Sequence, residues 1–198
     1  MVNSAFLPGE IIVHTGLGKG KTTAALGLAL TMVGPGGKGA VVQFLKGNAH
    51  TGELWAAARL YPWLEIYQFG RGCPYSALIR QGLQQCRRCG ECFLHRRGPG
   101  EEEKEMVRLA WEKVLSLATD ENYRLLICDE IAHAFRYNLL PVEEVTAFLA
   151  RKPLHLTLIL TGRNMPDAII SLAHRVVEFA AVKHPFTRGV RARRGIEY

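Results

Sequence analysis

The sequence holds no apolar run near the ~20 residues that a membrane-spanning helix needs. Its opening stretch, "MVNSAFLPGE", has neither a basic n-region nor a cleavable apolar segment. A cytoplasmic protein with no membrane partner is therefore expected. It also lacks an internal repeat, a heptad seam and a low-complexity linker, so its 198 residues read as one domain with a full core. Acid is scarce relative to base, 18 residues against 25, and the net charge of +7 favours anionic partners. Aromatic residues are not interleaved with the arginine clusters as they are in single-strand binders, which disfavours nucleic acid as the partner. Cysteines number only five, and four of them crowd into residues 70–100. In a cytoplasmic chain that bias points to metal or redox use rather than to a disulfide framework.

What is present is a rhythm. Short runs rich in β-branched residues occur at 10–15, 39–45, 64–69, 124–130, 155–161 and 175–182, and they read as buried strands of a largely parallel sheet. Helical patterns lie between most of them, from Lys21 to Met32, Glu101 to Ala118, Val142 to Leu149 and Pro166 to Leu172. Strands alternating with helices predict an α/β sandwich with helices on both faces and ligands at the carboxyl ends of the strands. Two segments break the rhythm: residues 70–100, with six arginines and one acid, and the basic tail from Lys183.

The stretch "IIVHTGLGKGKTTAALGLAL" carries the first chemistry. The general phosphate-loop pattern G-x-x-x-x-G-K-[ST] fails here by one residue, because Thr15 stands where the first glycine belongs and Gly16 comes one place late. Gly16, Gly18 and Gly20 nonetheless permit a backbone whose N–H groups can face an anion, ahead of a helix N-terminus. Lys21 supplies countercharge, and the hydroxyl of Thr22 suits Mg2+. A second motif, "LLICDEI", ends an apolar strand in Asp129 and Glu130, where a P-loop protein keeps its magnesium acid. Loop and acids together predict a P-loop NTPase, RecA-like sandwich that binds a nucleotide.

These stretches, with "VVQFLKG", "LTGR" and the ending "VKHPFTRGVRARRGIEY", resemble the P-loop type of ATP:corrinoid adenosyltransferases, which make the coenzyme form of vitamin B12. The resemblance runs from about Gly9 to Tyr198, excepting most of 70–100, and the shortened loop T-G-x-G-K-G-K-T-T keeps that family's own rule. It implies transfer of the 5′-deoxyadenosyl group of ATP to Co(I) of a reduced corrinoid, with triphosphate leaving. The substrate cobalt is itself the nucleophile, so no catalytic Ser, Cys or general base is implied. The resemblance assigns the triphosphate to Gly16, Leu17, Gly18, Lys19, Gly20, Lys21, Thr22 and Thr23. It gives magnesium to Thr22 and Glu130, with Asp129 orienting the shell. Gln43, Lys46, Arg163, Lys183 and His184 become candidates for substrate contact. A homodimer and an electron-donating reductase are the implied partners. The rival readings are a RecA-like P-loop ATPase, in which Glu130 would activate water, and a nucleic-acid-associated ATP-binding module. Neither needs the family-like tail.

The chain departs from the family in two places. Leu17 replaces a polar loop residue, usually Asn, which a cradle of backbone N–H groups can tolerate. Where familiar members carry an aromatic pair F-x-W after the third strand, this sequence has Arg71-Gly72-Cys73, and Phe69, Tyr75 or Phe93 are the nearby aromatics. Beside that departure stands C-x2-C-x2-C, Cys86, Cys89 and Cys92, with Cys73 upstream. Four thiolates so spaced suit Zn2+ or an iron–sulfur cluster, with His95 as a substitute ligand and Arg87, Arg88, Arg96 and Arg97 offsetting charge. Free reduced thiols are the alternative. Cys128, inside an apolar strand, reads as core.

Overall fold

The computed structural model describes residues 9–33, 36–47, 51–86, 89, 92 and 98–183. His184 and the tail arginines 188, 191, 193 and 194 lie outside them, as do Arg87, Arg88, Phe93, His95, Arg96 and Arg97.

Six strands form one sheet: β1 (Ile11–Thr15), β2 (Lys38–Phe44), β3 (Leu64–Phe69), β4 (Tyr123–Asp129), β5 (Thr157–Thr161) and β6 (Arg175–Glu178). Their order is β3-β2-β4-β5-β1-β6, and every pairing is parallel. The helices are α1 (Lys21–Val33), α2 (Gly52–Leu60), α3 (Ser76–Arg80), α4 (Glu101–Ala118), α5 (Ile131–Arg136), α6 (Val142–Leu149) and α7 (Asp167–Ile170). No helix among the described residues is long and apolar enough to cross a membrane.

Successive strand residues feed opposite faces, which is why the central strands are apolar throughout rather than alternating. Ile11, Val13, Val42, Leu126, Cys128 and Leu158 face the layer of α4, α5 and α6, where Val107, Trp111, Val114 and Phe135 meet them. Ile12, Val41, Leu125, Ile127 and Ile159 face Ala25 and Ala29 of α1. Each fully buried Leu or Ile contributes about 1.5–3 kcal/mol. The small alanines let α1 lie close across the sheet, so it runs from β1 over β5 and β4 to β2. That crossing sets the loop before α1 at the carboxyl edge of the central strands, where the strand order reverses.

The expected strands all form, with shifted ends. The last is an exception in character: the sequence suggests a buried strand over 175–182, whereas Arg175–Glu178 is an exposed edge strand paired only to β1. The helix expected from Pro166 to Leu172 shortens to Asp167–Ile170. Helices α2, α3 and α5 were not foreseen.

Candidate functional site

The residues from Gly16 to Gly20 turn from β1 into α1, with φ of +95° at Gly16 and +106° at Gly20, where side chains are disfavoured. The glycines also have a packing reason. A Cβ on Gly18 would lie 2.6 Å from the carbonyl oxygen of Phe179, and one on Gly16 would lie 2.7 Å from it. The Gly18 N–H donates to that oxygen at 2.6 Å, so the chain leaving β6 straps the loop. One N–H that the sequence suggested for an anion is thus committed to Phe179.

Helix α1 begins at Lys21 with no acid of its own in the first turn to occupy its N-terminal dipole. Lys21 is buried, and its Nζ donates to the Gly16 and Gly18 carbonyls at 2.8 and 2.7 Å. Burial pushes its ammonium down, Arg163 adds to that, and Glu130 and Asp129 oppose it; the net direction is down. The buried His14 ring, its Nδ1 3.2 Å from the Lys21 carbonyl oxygen, fastens the start of the helix.

Asp129, the last residue of β4, is fully buried. A buried carboxylate is costly unless its oxygens accept hydrogen bonds. Thr22 Oγ1 donates to Oδ1 at 2.7 Å, Thr161 Oγ1 donates to the same oxygen at 2.8 Å, and Gln43 Nε2 donates to Oδ2 at 2.9 Å. Gln68 in turn donates to Gln43 Oε1 at 2.7 Å. Lys46 Nζ lies 3.8 Å from Asp129 Oδ2 and 2.5 Å from Glu53 Oε1. Burial works against the Lys46 charge, but Asp129 and Glu53 outweigh it and hold its affinity for a proton above the ordinary lysine value. Glu53 is likewise opposed by burial, and Lys46 holds it below the ordinary value.

Glu130 follows in a left-handed conformation, φ 58°, uncommon for a residue with a side chain. Its N–H donates to Thr161 Oγ1 at 2.9 Å, and its Oε2 lies 3.6 Å from His133 Nε2. A Cβ on Gly162, in "LTGR", would meet Ala132 Cβ at 2.4 Å, so only glycine lets β5 pass α5 here.

Of the residues singled out from sequence, Thr22, Gln43 and Lys46 meet at Asp129, Lys21 and Glu130 adjoin Thr22 and Asp129 in the chain, and Arg163 follows Thr161 by two residues. Gln43 is fully buried, one layer beneath the mouth. Leu17, Lys19, Thr23 and Lys183 are exposed. Sequence reasoning missed Thr161, Glu53, Gln68 and Phe179. Thr161 lies two residues before Arg163 in a motif already noticed, and strand-end position was its only signal.

The excursion is anchored differently. Gly72 makes an isolated parallel bridge to Gly47, and Arg71 pairs with Glu102 and Glu103 at the start of α4. Arg71 Nε donates to the buried Glu103 at 2.6 Å, and Gly100 N–H donates to it at 2.8 Å. Burial opposes the Glu103 charge, yet these two donors hold its carboxyl below the ordinary value. Where the family's aromatic pair was expected, a cavity of about 670 Å³ opens, lined by Gly70, Arg71, Gly72, Tyr75, Cys89 and Met106. Cys128 is fully buried core, as expected. Among the described residues, no three His, Cys, Asp or Glu side chains stand together as a ready metal-ligand set.

A parallel sheet whose first strand opens through a Gly-Lys-Thr loop onto a helix, with that threonine bonded to an acid ending a central strand, defines a P-loop nucleotide site. The family model for "ATP:corrinoid adenosyltransferase BtuR/CobO/CobP" matches residues 8–198. A Sinorhizobium protein named corrinoid adenosyltransferase is 36% identical over 96% of this chain and 80% of its own length. One from Escherichia coli K12 with the same name is 35% identical, covering 96% of this chain and 86% of itself. The corrinoid adenosyltransferase CobA of Salmonella typhimurium gives the same identity and coverage. The chain belongs to the ATP:corrinoid adenosyltransferase family, a family of enzymes.

Proposed function

We propose that this single P-loop domain transfers the 5′-deoxyadenosyl group of ATP to Co(I) of a reduced corrinoid. The cobalt electron pair attacks C5′, the Co–C bond forms, and the C5′–O bond breaks with its electrons leaving on triphosphate. The observation that carries the reading is the Thr22–Asp129 bond at the loop mouth of a chain whose family is shown.

The protein's task is to hold C5′ in line and stabilise charge on the leaving group, since the substrate cobalt needs no activated side chain. Gly16 to Thr23 cradle the triphosphate, with Lys21 and Lys19 as countercharges. Lys46, Arg163, Lys183 and His184 are assigned to substrate, and Gln43 acts by positioning Asp129. The donors at the mouth are hard oxygens, from Thr22, Asp129 and Glu130. That set fits Mg2+, which is held by one or two carboxylates together with substrate phosphates and water. Bound there, magnesium neutralises charge on the triphosphate. The account includes a homodimer, a cytoplasmic location and a separate reductase that supplies Co(I).

Anaerobic incubation with ATP, Mg2+ and chemically reduced cobalamin tests it. The reading requires ATP-dependent loss of the Co(I) spectrum and appearance of a light-sensitive adenosyl product. Persistence of Co(I) with active-site ATP bound would refute it.

A further inference from the structure

We propose that Cys73, Cys86, Cys89 and Cys92 form a thiolate metal centre beside the nucleotide mouth, holding one tetrahedral Zn2+ or an iron–sulfur cluster. Nothing in the family resemblance supplies this site, and it does not depend on the adenosyl-transfer reading.

Ligand chemistry comes first. None of the four cysteines is in a disulfide, and soft sulfur donors select zinc or iron–sulfur clusters over magnesium. Spacing comes next: the run from Cys86 to Cys92 puts three thiols within seven residues, as thiolate metal sites do. The fold then returns this run to Cys73. Cys89 lines the cavity that Gly72 and Pro74, the chain neighbours of Cys73, also line.

The four groups differ in how firmly they are placed. Cys73 is buried, and its backbone is fixed by the Gly47–Gly72 bridge and by Arg71 on Glu103. Cys86 is exposed, and Cys89 and Cys92 are half-buried. One ligand is thus held by the domain, and three follow the exposed Leu83, 72% accessible. Segments that cannot build a core are commonly closed by a metal, and binding then supplies ordering free energy as each thiol releases its proton to solvent. That coupling accounts for a ligand set that is not gathered at one point before the metal binds.

The test uses the full chain purified without oxygen, with zinc, iron and acid-labile sulfide measured per chain, and thiol alkylation read by mass spectrometry. Because Cys73→Ser alters a buried position, the comparison variant is Cys89→Ser/Cys92→Ser. The proposal expects about one zinc per chain, or iron with matching sulfide. It also expects slow alkylation of the four thiols, with both properties lost in the variant. Substitution with Co2+ should give intense thiolate charge-transfer absorption in the wild type alone. A chain that stays metal-free after reconstitution with zinc and with iron plus sulfide overturns the proposal. So does metal content unchanged in the variant.

Discussion

The nucleotide mouth and the excursion at 70–100 lie side by side at one edge of the sheet, yet they are built by opposite means. At the mouth, side chains from β2, β3, β4, β5 and α1 meet around one fully buried carboxylate, and the polar atoms facing Asp129 pair with it. Among the described residues, the excursion is tied by the Gly47–Gly72 backbone bridge and by Arg71 reaching Glu102 and Glu103 of the next helix. A site that must stabilise the same charge on every triphosphate is best rigid and preorganised. The excursion is where the sequence departs from the family resemblance, at Arg71-Gly72-Cys73, and the role we propose for it is contact with the corrin.

Breaking the mouth should cost most. Asp129→Ala leaves Thr22, Thr161, Gln43 and Lys46 around a vacated buried position, and it should destabilise by about 3–5 kcal/mol, read from urea unfolding, with activity lost. Lys21→Ala removes countercharge to the leaving group; kcat/KM should fall about 10²–10³-fold while the fold persists. Arg71→Ala strips the buried Glu103 of its cation and should cost about 1.5–3 kcal/mol. If the two regions divide their work as described, KM should rise for the corrinoid and not for ATP.

Acid should reach both regions. Glu53 and Glu103 are each held below the ordinary glutamate value. A carboxylate so depressed contributes stability that is complete above about pH 4.3 and lost as the pH falls through its own lower value. Urea midpoints should therefore decline below about pH 4, and Arg71→Ala should flatten part of that decline. The smallest effect belongs to Leu17→Asn. Leu17 is 62% exposed on the loop, so stability should stay within about 0.5 kcal/mol.

How much of this was legible follows from distance along the chain. The strands showed because β-branched runs such as "IIVHT" and "TLILT" are buried on both faces, and α1 and α4 because their apolar spacing is long enough to see. Helix α2 hid because it buries little beyond Ala57, and α5 because six residues, four of them apolar, are too few to show a periodic face. Lys21, Thr22 and Asp129 were readable as motif positions. Thr161 and Gln68 were not, since a hydroxyl and an amide gain meaning only when the sheet brings them to Asp129 and Gln43. Arg71 and Glu103 pair across 32 residues, a contact that no local pattern encodes.

The most direct test of the central claim is phosphorus NMR of the products after turnover with ATP, Mg2+ and Co(I)-cobalamin without oxygen. The account predicts inorganic triphosphate in equal amount to the Co–C bond formed. ADP and phosphate, with the corrinoid unalkylated, would contradict it and make the shortened loop a hydrolase site.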